Sequence, residues 1–237
     1  MLILLTGCAD PPEVACNPVT YSANSYTICT APADADIRLF LNRENGRPLS
    51  SFEAVDARLS DTAERLVFAM NAGMYHQDRS PVGLYVEAGQ EVTKLNTTAR
   101  DGNFGLVPNG VFFIADGRAG VAETETFAEI SEPVEYATQS GPMLVISGEL
   151  HPAFNANGTS KKKRNGVGIS QDGQTIYFAI TEQPVNFHSF ASLFRDHLET
   201  PNALFLDGTI SRLYYPADER NDPGLAMGPI LGFVDAR

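Results

Sequence analysis

Basic residues are scarce in this chain. Only 17 Lys and Arg stand against 29 Asp and Glu, a formal net charge of −12 over 237 residues. A surface of that sign repels nucleic acid, whose binding rests on neutralising phosphates with Lys and Arg, so no nucleic-acid partner is expected. No apolar run reaches the length of a membrane-spanning helix. The three cysteines have no histidine near them and do not make a zinc site. Asp78, Asp101, Asp207 and Asp222 are scattered, and no spacing matches an EF-hand or a zinc-protease motif. The expectation is therefore neither metal nor cofactor. No repeat of fixed period is present. Charged residues make up only 19% of the chain and hydrophobic residues 43%, which excludes disorder throughout and leaves enough apolar side chain for one sizeable core.

The N-terminus carries a signal of its own. "MLILLTGC" sets a short apolar run before Leu5-Thr6-Gly7-Cys8. It resembles a bacterial lipobox, in which cleavage precedes a cysteine that then carries lipid, although no basic segment stands in front of it. This divides the chain into a signal remnant over 1–8, a Pro-rich tether over 9–18 ("ADPPEVACNP") and a domain over 19–237. It implies lipidation at Cys8, attachment to the membrane through that lipid, and a place in the bacterial cell envelope facing the periplasm. Cys16 and Cys29 are then left over. They either close a short loop as a disulfide, as suits a compartment outside the reducing cytosol, or remain two buried thiols.

Short strands dominate the rest of the chain. "LVFAM" (66–70), "VGLYVE" (82–87), "GLVP" (105–108), "VFFIA" (111–115), "VEYAT" (134–138), "MLVIS" (143–147), "GVGIS" (166–170), "TIYFAIT" (175–181), "ALFLD" (203–207) and "RLYY" (212–215) all read as strands. "VTYSANSYTICTA" and "IRLFLN" are two more β-rich runs. Asp116-Gly117 and Asp172-Gly173 supply hairpin turns. One helix is expected in "RPLSSFEAVDARLSDTAERL", with Ser50 and Glu53 as a capping box, and another over 189–198 before Pro201. Helices are few and do not alternate with strands. The fold class is α+β: a single domain of mostly antiparallel or mixed β-sheets, with its site at strand ends.

Five corners share one design, a strand end running into or out of small polar residues. They are "AMNAGMY" (69–75), "VPNGVFF" (107–113), "TQSGPML" (138–144), "KRNGVGIS" (163–170) and "FLDGTIS" (205–211). Glycine lets backbone turn tightly or a ligand approach closely, and Asn, Asp and Ser add side-chain hydrogen bonds. Any one of them also reads as a plain turn.

Taken in order, Asn71-Ala72-Gly73-Met74-Tyr75, Ser140-Gly141-Pro142-Met143-Leu144, Arg164-Asn165-Gly166-Val167-Gly168 and Leu206-Asp207-Gly208-Thr209-Ile210-Ser211 resemble the phosphodiester glycosidase family. "SPVGLYVE" and "PVNFHSFASLFRD" resemble its bacterial branch, linked by name with exopolysaccharide biosynthesis. The resemblance runs from about residue 65 to 215. Ala72 and Met74 stand where the family pattern has Gly and Phe, and Thr209 and Ile210 where it has two glycines.

The resemblance implies hydrolysis of a sugar C1–O bond to a phosphodiester, on a sugar-phosphate or glycan substrate. Such a reaction must hold the anionic leaving phosphate and steady a cation-like anomeric carbon. Arg164 suits the phosphate as a planar donor fork. Ser140 and Gly141 are candidate N–H donors for one wall of the phosphate pocket, with a plain turn as the alternative. Lys161, Lys162 and Lys163 read as a solvated basic loop. Asp207 is the first carboxylate for the anomeric carbon, with capping of its own turn as its other role. Glu182 is the second carboxylate. Asn71, Gly73, Asn109, Gly208 and Ser211 complete the substrate-binding set, and His188 bonds a substrate oxygen or starts a helix. Two rival classes remain: a non-catalytic envelope lipoprotein binding polysaccharide or a partner protein, and a phosphodiesterase cutting the P–O bond.

Overall fold

Alternation along one strand shows how the sequence builds the core. In Asn202–Asp207, Leu204 and Leu206 turn to one cluster while Ala203 and Phe205 turn to another on the opposite face. The computed structural model describes residues 14–98 and 102–236, so Cys8, Asp101 and the 1–8 segment lie outside the described residues. Its strands, β1 to β17 in chain order, form three sheets in which every pairing is antiparallel. The first sheet runs β1 (Ala15–Tyr21), β2 (Asn24–Pro32), β13 (Thr175–Thr181), β12 (Asn165–Ile169), β14 (Asn202–Asp207), β10 (Met143–Ile146), β11 (Glu149–Leu150). The second runs β16 (Arg220–Asn221), β15 (Leu213–Tyr215), β4 (Glu64–Asn71), β17 (Ile230–Ala236), β3 (Ile37–Phe40). The third runs β6 (Gln90–Thr93), β5 (Tyr85–Glu87), β9 (Val134–Ser140), β7 (Gly110–Ala115), β8 (Arg118–Glu123).

The inner faces of all three sheets share one core. Phe68 of β4 and Phe112 of β7 both pack on Phe178 of β13, with ring centroids 5.0 and 6.0 Å away. Helices cover the outer faces. Helix α1 (Phe52–Ser60) lays Phe52, Val55 and Leu59 on the second sheet. Helix α2 (Thr124–Ala128) brings Phe127 to the third. Helix α3 (Phe187–Ser192), continued by a π turn over Leu193–His197, lays Phe190 and Phe194 on the first. Gly166 permits that contact: a Cβ there would lie 2.7 Å from Leu204 O and 3.2 Å from the Phe190 ring. The architecture is the α+β single domain that the strand-rich pattern predicts.

Several boundaries differ for local reasons. "VTYSANSYTICTA" is two strands, because Ser22 and Ala23 both take left-handed φ (47° and 60°) and fold it into a hairpin. Strand β1 already begins at Ala15, so the last residues of the expected tether are paired sheet edge. The first helix is capped by Ser51, whose side chain accepts the Ala54 N–H at 3.3 Å, and not by Ser50, which has φ 66°. "GLVP" is loop: Pro108 has no N–H to give a ladder, and its peptide bond is cis. Leu84 bonds the Gln139 side chain, so the strand predicted over 82–87 starts at Tyr85.

Cys16 and Cys29 face each other across β1 and β2 and form a disulfide, with S–S 2.01 Å and Cα atoms 3.9 Å apart. The hairpin, not a long loop, brings them together.

Candidate active site

Four strand termini meet where the three sheets converge. Strand β4 ends at Asn71, β9 at Ser140 and β14 at Asp207, and β12 begins at Asn165. The first sheet is irregular at this point. Asn165 pairs with Asp207 while Gly166 pairs with Phe205, so Leu206 is an extra residue on β14. A bulge of this kind breaks the strict in-out alternation and re-aims the side chain beyond it.

Asn165 is the hub of the convergence. Its side chain is fully buried, and its Oδ1 accepts from the Asp207 N–H (3.1 Å) and the Asn71 Nδ2 (3.2 Å). Its Nδ2 donates to Asn71 O at 2.8 Å. Asn71 in turn accepts the Arg212 N–H at 3.0 Å, and the Ser211 hydroxyl donates to Asp207 O at 2.8 Å. The two strand ends are therefore locked together by side-chain amides, which leaves the Asp207 backbone no freedom to drift.

The Asp207 carboxylate turns back on its own chain. Oδ1 accepts the Gly208 N–H at 2.6 Å and the Thr209 N–H at 2.8 Å, which is the turn-capping role read from the sequence. The residue is 8% exposed. Burial pushes its carboxyl above the usual carboxylate range, and the backbone N–H groups of Thr209, Gly208 and Ile210 pull the other way. Asp207 also lines a cleft of about 540 Å³ shared with Tyr75, His76, Arg79, Phe104 and Thr209. It is the one carboxylate among the described residues lining that cleft. Capping of the turn and a place on the cleft wall are thus combined in one side chain.

Arg164 is close to this turn but not in the cleft. Its Nη1 lies 3.6 Å from where a Gly208 Cβ would be. The guanidinium is 1% exposed and stacks 3.6 Å over the Phe187 ring. Nε donates to Val185 O (3.0 Å), Nη2 donates to Ser160 O (3.1 Å), and Nη1 has no partner among the described residues. Burial pushes its pKa down to about 10. Two arms of the fork expected to hold phosphate are bonded to carbonyls inside the protein, and the third, Nη1, lies buried beside the Gly208 turn.

The other expected residues divide in the same way. The Ser140 hydroxyl donates to Leu206 O at 2.6 Å, fastening the third sheet to the bulge. Gly141 is crowded, since a Cβ there would lie 2.6 Å from the Asn109 Cβ. Neither lines the cleft; the 138–144 corner is a buried strut behind Asp207. Asn109 accepts the Thr124 hydroxyl at 2.6 Å and donates to Phe104 O at 3.0 Å, so it supports a cleft wall from behind. Gly73 donates its N–H to the Thr138 hydroxyl at 3.1 Å, and a Cβ would clash there. Glu182 is exposed and committed elsewhere, accepting from Thr27 Oγ1 (2.6 Å) and Arg220 Nη1 (2.8 Å). His188 sits half-buried in α3 and is not on the cleft wall. Lys161, Lys162 and Lys163 are exposed.

Asn165, Tyr75, His76, Arg79 and Phe104 were not among the expected site residues. Asn165 lies inside the Arg164–Gly168 motif, and Tyr75 and His76 directly follow the Asn71 corner. Arg79 and Phe104 carry no local signal, because only the fold brings residues 75–82 and 102–104 to Asp207.

Comparison with known proteins agrees with this geometry. Residues 64–230 match the phosphodiester glycosidase family, a span that holds all four strand termini. The Escherichia coli (strain K12) protein YigE is 34% identical over 214 residues, covering 90% of this chain and 82% of its own. The catalytic domain of zebrafish N-acetylglucosamine-1-phosphodiester alpha-N-acetylglucosaminidase, auto-inhibited by its pro-peptide, shares the fold with TM-score 0.64 and 13% identity, over 96% of this chain and 84% of that one. A hypothetical protein from Synechocystis shares it with TM-score 0.54 and 11% identity, over 97% of this chain and 64% of that one. The chain belongs to the phosphodiester glycosidase family and is a hydrolase of that class.

Proposed function

We propose that this chain hydrolyses the C1–O bond of a sugar-1-phosphodiester, with Asp207 beside the anomeric carbon. The observation that supports this reading is the Asp207 carboxylate itself, fixed at a bulged strand end and lining a cleft that also holds Arg79. As the C1–O bond breaks, the electron pair leaves with the phosphate and the sugar ring gains positive charge. A carboxylate already aligned by the Gly208 and Thr209 N–H groups meets that charge without reorganising. Water adds its oxygen to C1, and its proton ends on the phosphomonoester product. A phosphate leaves without needing strong protonation, which suits a cleft with one carboxylate among the described residues lining it. Glu182, held by Arg220 and Thr27, has no part in this scheme.

Turnover of a panel of sugar-1-phosphodiesters in ¹⁸O-labelled water tests the bond assignment. The label is expected in the free sugar, with an unlabelled phosphomonoester beside it. Label in the phosphate, with sugar-1-phosphate and the free alcohol as the products, means P–O cleavage instead. Binding without release of any product means a glycan-binding module.

We further propose that the enzyme works at the cell envelope, on glycan or exopolysaccharide, anchored by lipid on Cys8. Mass spectrometry of protein from its native membrane fraction should yield a lipidated N-terminal Cys8 peptide. An intact Met1 peptide from a soluble fraction removes the anchor.

A further inference from the structure

The cleft needs a cation. Asp207 is an anion on its wall, and a phosphodiester brought to Asp207 adds a second. Like charges at such range repel, so binding requires a positive group on the substrate's phosphate side. Arg164 is the sequence's candidate and is enclosed by Phe187, Val185 and Ser160.

The cleft supplies another arginine. Residues 75–81 form a small hairpin, closed by the Tyr75–Pro81 bridge and by the His76 N–H to Ser80 O bond at 2.8 Å. Its tip is held by Asp78, which accepts from the Ser80 hydroxyl (2.6 Å) and the Ser80 N–H (3.0 Å). That turns the neighbouring carboxylate toward Ser80, and it makes no ion pair with Arg79 among the described residues. Arg79 adopts φ 76°, left-handed backbone that a non-glycine residue takes at a cost. Its guanidinium lies 5.5 Å from the Tyr75 ring centroid, and Nη1 donates to Gln77 O at 2.9 Å. No carboxylate among the described residues pairs with it. Tyr75 links this group to the carboxylate: burial pushes its hydroxyl's pKa up, Asp207 adds to the rise, and Arg79 opposes it. Tyr75 therefore lies within electrostatic reach of both.

We infer that Arg79, on the 75–81 hairpin, holds the phosphate of the substrate, with His76 beside it on the same cleft wall. This rests on the phosphodiester reading above and assigns its anion subsite. The planar fork matches two phosphate oxygens, and Tyr75 beneath it stops the guanidinium folding away. The sugar then lies toward Asp207, with the scissile C1–O bond between carboxylate and guanidinium.

The test uses the full chain and two readouts. One is the affinity for methyl phosphate, measured by calorimetry. The other is steady-state turnover of a sugar-1-phosphodiester. Arg79→Gln is expected to weaken methyl phosphate binding by about tenfold to a hundredfold, the loss of one charge-assisted pair, and to raise KM by a similar factor. Arg79→Lys should recover part of the affinity, since a point charge keeps the attraction and loses the fork. Lys162→Gln, an exposed loop change, should alter neither. Unchanged methyl phosphate affinity and KM in a folded Arg79→Gln protein, or a wild type that does not bind methyl phosphate, overturns the subsite. If the wild type binds methyl phosphate through Arg79 but hydrolyses no sugar phosphodiester, the subsite stands and the enzymatic reading falls.

Discussion

Asp207→Asn is expected to lower kcat by on the order of 10²–10³-fold, the cost of losing one preorganised electrostatic contact in a transition state, while substrate affinity stays nearly level. The neutral amide keeps the shape and can still accept the Gly208 and Thr209 N–H bonds, so the turn survives. What disappears is the negative charge that the cation-like anomeric carbon meets only in the transition state, and such a loss falls on kcat more than on binding. The pH profile carries a second mark. Burial raises the Asp207 carboxyl, so the wild-type rate should climb with pH through a value above the ordinary range of about 4. Residual activity of the Asn variant should lack that limb. Stability moves the other way. A carboxyl whose folded pKa exceeds its unfolded value favours folding when protonated, and that contribution is lost as pH rises through the folded value. At neutral pH the Asn variant should therefore melt no lower than wild type. A folded Asp207→Asn protein with wild-type turnover ends the catalytic assignment.

Arg164→Ala should fail differently, by unfolding and not by losing substrate. Truncation empties the space against Phe187 and Phe205, takes the Arg164 donor from Ser160 O, and leaves Val185 O with the Lys162 N–H alone. Loss of a large buried side chain together with the Ser160 carbonyl's donor costs about 3–5 kcal/mol. For a chain of this size that lowers Tm by roughly 6–20 °C. Arg164→Lys should fall between, because an ammonium cannot reach both carbonyls as a fork does. At low temperature the folded fraction of Arg164→Ala should keep its KM. A stable variant with a sharply raised KM returns Arg164 to the phosphate.

The contrast between these two residues shows what the sequence could carry. The place of Asp207 at a strand end beside a cleft was legible because its signal is local: an apolar strand, then Asp-Gly, in the family's order. The strands were legible for the same reason, through period-two alternation such as Ala203, Leu204, Phe205, Leu206. Arg164 also sits at a strand end near a Gly, but side-chain direction sets its surroundings. Residues 164 and 165 point to opposite faces of the sheet, so Arg164 meets Phe187 while Asn165 meets Asn71. Ser140 looked like a ligand because it is small and polar, yet its hydroxyl is buried against Leu206 O. Arg79 and Phe104 were illegible because neighbours set their meaning, and those neighbours come from other segments.

The disulfide between β1 and β2 bears on how the domain carries load. Strand β1 is the outer strand of its sheet and has hydrogen bonds on one side only, to β2. A pull on the chain ahead of Val14 enters at the end of β1 and would peel it rung by rung, as a zipper opens. Only the Ala15–Thr30 rung precedes the Cys16–Cys29 bond, so peeling from that end stops after one rung. Tension then crosses to Cys29 on β2, whose other edge is paired with Phe178 of β13 at the meeting point of the three sheets. A tug from the N-terminal side is thus passed through β2 to β13 and the shared core, and is not spent in opening β1.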